Sequence, residues 1–298
     1  MKARGDKIDG WLVLDKPIGP SSAAAVARVR RLMGAAKAGH AGTLDPLASG
    51  VLPIALGEAT KTVRYAVDAA KTYLFTVRWG EARASDDAEG AVVATSEIRP
   101  QDFAIRAILA RFTGEILQAP PAYSAIMVGG VRAYARARAG ESLTLAERKV
   151  RVDRLELVEL PDRERARFRV ECGKGVYIRS LARDLARALG TLGYVAELRR
   201  TAVGRFTEEL AIPLAKLEGL GHSAARFGYL RPVETALDDI PALAVTEAEC
   251  TRLRRGQTVG VSRMATTLPQ EPGAHDPSGH GVLTQGQVVC VTHLGRAV

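Results

Sequence analysis

One short segment, residues 39–50, contains the residue types from which an active-site loop could be built. It reads GHAGTLDPLASG, with three glycines, one proline and a single carboxylate, that of Asp45. Glycine and proline at this density predict a turn-rich loop rather than one regular element. The residues leave two interpretations of Asp45 open. It caps a turn or a helix that begins at Pro46, or it is a nucleophile that the loop holds in a fixed position.

A buried carboxylate nucleophile needs a cation beside it to stay ionised, and one candidate lies far along the chain. Residues 173–181 place Tyr177 and Arg179 two positions apart, where a strand is predicted to give way to a helix. Side chains at this spacing point the same way on an extended backbone. A second aromatic residue, Tyr73, opens a predicted strand beside Lys71. Aromatic rings among basic side chains are typical of proteins that stack unpaired bases, although a core tyrosine beside a solvated arginine is the structural alternative.

The composition favours a nucleic acid as the partner. The chain has 298 residues, of which 47% are hydrophobic and 25% charged, as in an ordinary globular protein. Lysine and arginine exceed aspartate and glutamate by 42 to 33, a net charge of +9 that favours a polyanionic partner. The absence of a long apolar stretch, of a signal sequence and of paired cysteines predicts a cytoplasmic protein without membrane contact. Nucleotide-binding glycine motifs and metal-ligand spacings are missing too, so we expect no cofactor and no metal.

The elements that must position these residues predict an α+β fold with a mixed or antiparallel sheet. Strands are predicted at residues 11–15, 72–79, 91–95, 149–160, 166–172 and 198–206. Helices are predicted at residues 22–33, 58–70, 100–112, 132–138, 177–189 and 247–255, the first with an N-cap at Ser21 and a C-cap at Gly34. A shift in composition near residue 235 predicts two domains, a main domain over residues 1–235 and a small β-rich appendage over residues 236–298. The appendage would include a loop at 269–281 and a strand near 281–283.

Several motifs, in order along residues 11–206, resemble those of the TruB-type pseudouridine synthases, the bacterial tRNA pseudouridine-55 synthases. The tail resembles the PUA-like RNA-binding appendage of that family. The motifs that carry the resemblance are LDKP with the following Gly and Ser-Ser (residues 14–22), GHAGTLDPLASGVLPIALGEATK (39–61), QAPPAYSA (118–125), RAY (132–134), KGVYIR (174–179) and AELR (196–199).

The resemblance implies an isomerase that converts uridine 55, in the T-loop of tRNA, to pseudouridine on a flipped-out base. It implies that Asp45 is the nucleophile and that Arg179 is the second catalytic residue, paired with the Asp45 carboxylate. We expect this pair to be bidentate, a geometry that arginine offers to a carboxylate and lysine does not. Four residues would bind the substrate. Tyr73 would stack on the base and Tyr177 would line the pocket. Leu198 would form an apolar wall, and His40 would fill the stack vacated by the nucleotide. Whether Asp45 attacks the ribose or the base stays open.

The resemblance also implies partners. We expect the T-arm of tRNA as the partner, a monomeric enzyme, and no membrane, metal or cofactor. Two alternatives remain: an RNA-binding module that helps tRNA to fold, and a sister synthase that acts on other RNA. Two departures from the family pattern concern RNA affinity, because Met127 replaces a usual lysine and Arg83 a usual threonine. The arginines that cluster around the motifs are predicted to contact phosphate: Arg28, Arg30, Arg31, Arg183, Arg187, Arg199 and Arg200.

Overall fold

The protein is built on one large mixed sheet with helices packed against it. The computed structural model describes residues 5–141, 143, 145–237, 240–260, 266–267, 289–293 and 296–297. In chain order the helices are α1 (Ser22–Met33), α2 (Val63–Asp68), α3 (Asp102–Ile108), α4 (Ala133–Arg138), α5 (Ile178–Ala188), α6 (Leu214–Gly219) and α7 (Glu247–Arg254). Short 3-10 helices lie at Gly57–Lys61, Leu109–Phe112, Glu208–Leu210, Ala224–Tyr229 and Val233–Ala236.

The strands are long in the centre of the chain and short near its C-terminal end. They are β1 (Gly10–Lys16), β2 (Ala38–His40), β3 (Ala48–Leu56), β4 (Lys71–Trp79), β5 (Glu81–Arg83), β6 (Val92–Thr95), β7 (Gly114–Gln118), β8 (Met127–Val128), β9 (Val131–Arg132), β10 (Arg148–Asp162), β11 (Arg165–Cys172), β12 (Gly193–Val203), β13 (Phe206–Thr207), β14 (Ile212–Pro213), β15 (Leu230–Arg231), β16 (Ala242–Ala244), β17 (Thr266–Thr267), β18 (Cys290–His293) and β19 (Arg296–Ala297).

Eleven strands form the large sheet, and its topology confirms the predicted mixed α+β fold. Its main order is β14-β1-β3-β12-β4-β11-β10-β7, with β2 paired to β3, β13 to β12 and β15 to β1. Most neighbours are antiparallel, but β12 runs parallel to β3 and antiparallel to β4. A late strand therefore lies between two early ones, which brings residues near 45, 73 and 200 together.

The two halves of the sheet are buried in different ways. Around β1 and β3 both faces are covered, because Leu12 and Leu14 pack beneath α1 and α6 while Trp11 and Val13 pack against Phe206 on the opposite face. Around β4, β10 and β11 one face packs beneath α5 and α3. Burial along β11 accordingly alternates from residue to residue, as expected for a strand with one solvated face.

The N-terminal elements follow the predictions closely. Strand β1 covers the predicted residues 11–15, and α1 has the predicted caps, with the Ser21 hydroxyl accepting a hydrogen bond from the N–H of Ala24 and Gly34 in a left-handed conformation at φ 72°. The predicted helix at 58–70 is instead a 3-10 helix followed by the short helix α2. Strand β12 begins at Gly193, five residues before the predicted 198, because the register with β4 extends to Trp79.

The C-terminal residues form a separate small sheet. Its strand order is β17-β16-β18-β19, with β16 and β18 parallel. The predicted loop at 269–281 and the predicted strand at 281–283 lie outside the described residues. The boundary between residues 235 and 236, and the PUA-like character of the appendage, stay predictions. Within the described residues, no helix has the length and apolar character needed to cross a membrane.

Candidate active site

A cavity of about 510 Å³ lies where β12 joins β3 to β4. Its volume is within the range of about 300–1,000 Å³ that is typical of ligand sites. Five of the six residues singled out in the sequence line it together: Asp45, Tyr73, Tyr177, Arg179 and Leu198. They come from the loop before β3, from β4, from the start of α5 and from β12.

The loop that carries Asp45 is held by hydrogen bonds from the start of α1. The Ser22 hydroxyl donates to the Leu44 carbonyl at 2.8 Å and accepts from the Leu44 N–H at 2.8 Å. The Gly19 N–H donates to the Pro46 carbonyl at 2.9 Å. The backbone on both sides of Asp45 is therefore bound to the turn that begins α1, which fixes where the carboxylate points.

Arg200 supports the same loop from beneath. Its side chain is buried, with only 1% of the residue exposed. Its Nε donates to the Val51 carbonyl at 2.8 Å and its Nη2 to the Gly42 carbonyl at 3.1 Å, on either side of Asp45 along the chain. The approach requires glycine at position 50, where φ is +100° and an added Cβ would lie 2.2 Å from the Arg200 carbonyl oxygen.

Two buried lysines, Lys16 and Lys71, lie near the loop that carries Asp45 and the cavity beside it. The Lys16 ammonium donates to the carbonyls of Pro17 at 2.9 Å and Pro20 at 3.0 Å, and it reaches that of Pro46 at 3.4 Å. Burial lowers the pKa of Lys16 to about 8, although the nearby Asp45 carboxylate opposes the shift. Lys71 lines the cavity, and burial lowers its pKa to about 8 as well. Both lysines therefore lose a proton more readily than a solvated lysine does.

The Asp45 carboxylate forms an ion pair with Arg179. Nε of Arg179 lies 3.0 Å from Oδ2 of Asp45; the arginine side chain is 7% exposed and the aspartate side chain 41%. The two Nη groups are used elsewhere, donating to the carbonyls of Ser85 at 3.0 Å and Tyr123 at 2.9 Å. Nη1 also lies 3.6 Å from the Asp87 carboxylate. The expectation of a bidentate pair is therefore wrong. Only Nε binds the Asp45 carboxylate, because the two Nη groups bind the segments of Ser85 and Tyr123.

The walls of the cavity are aromatic and apolar. Tyr73 and Leu198 pack against the cores of both halves of the sheet, so they mark the boundary between them. Burial raises the pKa of Tyr73, while a hydrogen bond with Arg200 opposes that shift. Tyr177 precedes α5, where its N–H donates to Oε1 of Gln118 at 2.8 Å. These side chains offer flat and apolar surfaces beside the ion pair, which suits a planar ring.

His40 is the one predicted site residue that lies outside the cavity lining. It is the last residue of β2, where it lies opposite Ile54 of the antiparallel strand β3. Its Nδ1 atom is buried without a hydrogen-bond partner, and burial lowers the pKa of the imidazole. The side chain is therefore held neutral more easily than a solvated histidine.

Three of the seven predicted phosphate-contacting arginines each bind two or more acceptors within the protein. Arg199 binds Asp15 through both Nη groups, at 3.0 and 3.2 Å, and Glu208 through Nε at 2.5 Å. Arg200 is buried beneath the loop, and Arg183 is bound to carboxylates on two segments. The prediction is wrong for Arg183 and Arg200, because helix phase and strand register turn their side chains inward. The Arg199 side chain is 37% exposed, so its contact with phosphate stays a prediction. The exposed members of the set are Arg28, which pairs with Glu218, together with Arg30, Arg31 and Arg187.

The two departures from the motif pattern have different surroundings. Met127 lies on β8 with 59% of its surface exposed. Arg83 binds Glu81 at 2.9 Å and donates to the carbonyls of Ala88 and Gly90, so it orders the turn that follows β5. Within the part of the chain that the structure describes, no group of three or more His, Cys, Asp or Glu side chains could hold a metal ion.

Sequence reasoning missed the supports of the site. Ser22, Arg200 and Asp87 hold the loop or the cation, yet none of them belongs to the residues selected for chemistry. A signal for Ser22 is present, since it follows an N-cap and hydroxyls at helix starts bind backbone groups. A signal for Arg200 requires the pairing of β12 with β3, which sequence periodicity does not reveal.

Comparisons with known proteins identify the family of the chain. The model of the TruB family pseudouridylate synthase N-terminal domain matches residues 30–178, and that of the tRNA pseudouridylate synthase B C-terminal domain matches residues 179–238. Two proteins named tRNA pseudouridine synthase B are similar. That of Bradyrhizobium diazoefficiens is 59% identical over 87% of this chain and 77% of its own length, and that of Rhodospirillum rubrum is 54% identical over 90% and 87%.

A solved structure shares the fold over almost the whole chain. A chain of a Cbf5-Nop10-Gar1 complex superposes with a TM-score of 0.74 and 27% identity, covering 97% of this chain and 76% of its own. A second, in an H/ACA RNP bound to a substrate RNA containing 2'-deoxyuridine, has a TM-score of 0.72 and 27% identity, with the same coverage.

Proposed function

The chain belongs to the TruB family of pseudouridine synthases, and on that premise we propose that it converts uridine 55, in the T-loop of tRNA, to pseudouridine with Asp45 as the nucleophile. The observation that carries the proposal is the Asp45–Arg179 ion pair, which lies in a cavity walled by Tyr73, Tyr177 and Leu198. A carboxylate that is paired yet partly exposed can meet a substrate without first losing its charge.

The reaction balances without any co-reactant. The bond between N1 of uracil and C1′ of ribose breaks, a bond between C5 and C1′ forms, and the proton lost from C5 is matched by one gained at N1. No electrons enter or leave, so the step needs no oxidant or reductant. Attack of Asp45 on the ribose and attack on the base remain the two routes, and both require an ionised carboxylate at the cavity.

The surrounding residues have separate tasks in this proposal. Arg179 pairs with Asp45 and fixes its direction, and the attraction between the two becomes stronger when bound RNA excludes water and lowers the local dielectric constant. Tyr73 stacks on the extruded base, Leu198 forms an apolar wall, and Tyr177 closes the pocket. His40 fills the stack that the flipped nucleotide leaves, which helps to offset an unstacking cost of a few kcal/mol.

The partner in this proposal is the T-arm of tRNA, bound by a cytoplasmic monomer. Support comes from the net charge of +9 and from exposed arginines such as Arg30 and Arg31 on α1. The alternative of a synthase that works within a guide complex is weaker. Sequence identity to the chain of the Cbf5-Nop10-Gar1 complex is 27%, whereas identity to the two proteins named tRNA pseudouridine synthase B exceeds 50%.

The test uses an unmodified tRNA transcript incubated with the protein, followed by mapping of pseudouridine by position. We expect modification at position 55 with the native chain and none with Asp45→Asn. The asparagine variant should bind the transcript with a Kd within about twofold of the native value, because losing one negative charge does not weaken attraction to phosphate. Substantial turnover by Asp45→Asn would refute the nucleophile, and modification at another position would refute the substrate. Binding without modification by the native chain would favour the tRNA-folding alternative.

A further inference from the structure

Helix α5 carries a second inward-facing arginine behind the one that lines the cavity. Arg179 and Arg183 are four residues apart and therefore lie on the same face of the helix. Both reach the same two neighbouring segments, the turn at residues 83–90 and the extended segment at residues 118–124. Arg179 donates to carbonyl groups in each, and Arg183 repeats the pattern one helical turn further on.

The contacts of Arg183 are specific. Its Nη1 donates to Oδ2 of Asp86 at 2.9 Å, its Nη2 to the Ala119 carbonyl at 3.0 Å, and its Nε to Oδ1 of Asp184 at 2.9 Å. The side chain is 14% exposed. Three directions of the guanidinium are thus filled by protein acceptors, which leaves it poorly placed to bind a phosphate.

Asp86 has an unusual backbone for its residue type. Its φ is 58°, the one positive value outside glycine in the part of the chain that the structure describes. Aspartate tolerates the left-handed region better than most residues but rarely adopts it without local support. Here the support is the Arg183 ion pair on the side chain and the Val195 N–H, which donates to the Asp86 carbonyl at 3.0 Å.

The turn held in this way also contains the groups that orient the catalytic arginine. Ser85 and Asp87 flank Asp86, and they offer Arg179 a carbonyl at 3.0 Å and a carboxylate at 3.6 Å. The result is two layers of alternating charge, Asp45–Arg179–Asp87 nearest the cavity and Asp86–Arg183–Asp184 behind it. Loss of Arg183 would leave the Asp86 carboxylate without its ion pair directly behind the first layer, and Asp184 with Arg187 at 3.8 Å.

We propose that Arg183 and Asp86 are positioning residues for the reaction, holding the 83–90 turn against α5 so that Arg179 presents Nε to Asp45. This inference rests on the function proposed above, in which Asp45 is the nucleophile. Neither residue touches the substrate; each acts through Ser85, Asp87 and Arg179.

The test compares variants by single-turnover kinetics at saturating enzyme, by tRNA Kd and by Tm. We expect Arg183→Gln and Asp86→Asn each to lower the saturating rate by about 10- to 100-fold, the effect of a misplaced catalytic group, with Kd changed less than about twofold. The double variant should be no slower than the slower single one within about twofold, because both changes break one interaction. Arg99→Gln is the matched control. Arg99 is a partly buried arginine that binds Glu164 at 3.0 Å and the Ser96 carbonyl, away from the cavity, and its change should leave the rate within about twofold.

Asp86→Gly separates charge from backbone. Glycine adopts a positive φ freely, so a native rate in this variant would show that only the backbone matters and would overturn the proposal; we expect the loss seen with Asp86→Asn. This variant also decides the matter if Arg183→Gln fails to fold. A lower Tm with an unchanged rate, a weaker Kd with an unchanged rate, or multiplicative effects in the double variant would each overturn the proposal. If the native chain forms no pseudouridine, the proposed function fails and this inference fails with it, whereas an active native chain with fully active variants refutes the inference alone.

Discussion

Replacing Arg179 by lysine keeps a positive charge near Asp45 but removes the guanidinium that joins three parts of the site. Arg179 places Nε 3.0 Å from Asp45 Oδ2 and donates to the carbonyls of Ser85 at 3.0 Å and Tyr123 at 2.9 Å. A lysine has one terminal nitrogen and no fixed fork, so it cannot serve acceptors in three directions at once. The change therefore distinguishes the need for a charge from the need for a fixed geometry.

The expected size of the effect follows from the bonds that are lost. A hydrogen bond from a charged donor contributes about 1.5–3 kcal/mol, so losing two of them removes about 3 kcal/mol or more of interaction that fixes the site. Since each 1.4 kcal/mol corresponds to a factor of ten, a loss of that size in the transition state slows the reaction about 100-fold. Arg179→Ala should be slower still, because it also leaves Asp45 without its cation.

The assay is the single-turnover formation of pseudouridine on an unmodified transcript, with tRNA Kd measured in parallel. Arg99→Lys is the control, since it makes the same change at another partly buried arginine that binds a carboxylate and a carbonyl. We expect the control to keep its rate and Arg179→Lys to lose about two orders of magnitude at nearly constant Kd. A fully active Arg179→Lys variant would show that charge alone suffices, and a fully active Arg179→Ala variant that the pair has no role.

Three further expectations concern the supports and the surface. Arg200→Lys should lower the free energy of unfolding by about 3 kcal/mol in urea denaturation, because the bonds to the carbonyls of Val51 and Gly42 lose their geometry; an unchanged value would contradict this account. The folded pKa of Lys16, about 8, is below the ordinary 10.5, so the unfolded chain binds more protons between these values. The unfolding free energy of the native chain relative to Lys16→Met should therefore rise with pH from about 8 to 10.5, by up to about 3 kcal/mol, and a flat or falling difference would refute the assignment. Finally, Arg30→Ala and Arg31→Ala should each reduce the log–log salt slope of tRNA binding by about 0.7–0.9 if the residue contacts one phosphate, whereas unchanged slopes would move the RNA surface elsewhere.

Much of the secondary structure could be predicted from short segments of the sequence. Strand β1 and helix α1 could be predicted because an apolar run, an N-cap serine and a C-cap glycine lie next to one another in the chain. Residue types alone marked the Asp45 loop and the Tyr177–Arg179 pair as candidates with structural alternatives. The role of Leu198 came only from the family resemblance. Five of the six selected residues line one cavity, and His40 lies on β2 beside it.

The roles of the arginines could not be predicted in the same way. Arg199 and Arg200 are adjacent in the chain, but β12 pairs on both sides and its register directs Arg199 to Asp15 and Arg200 beneath the loop. Arg183 faces inward because it lies one turn after Arg179 on α5. Composition counts these side chains as positive charge, whereas only pairing and helix phase determine whether that charge meets solvent or a carboxylate.

Strand β12, placed between β3 and β4, also constrains how the protein can be made. The chain is synthesised from its N-terminus, so β3 and β4 leave the ribosome long before residues 193–203. Until then each of the two strands has an unpaired edge, the kind of edge that recruits other extended chains and promotes aggregation. The loop of Asp45 at that stage lacks Arg200, which holds it through the carbonyls of Gly42 and Val51, so we expect the nascent protein to be inactive on RNA. Late insertion of a central strand thus joins the two halves of the sheet and brings Leu198 and Arg200 to the cavity in one step. Chains released before residue 193 should therefore be both inactive and prone to aggregate.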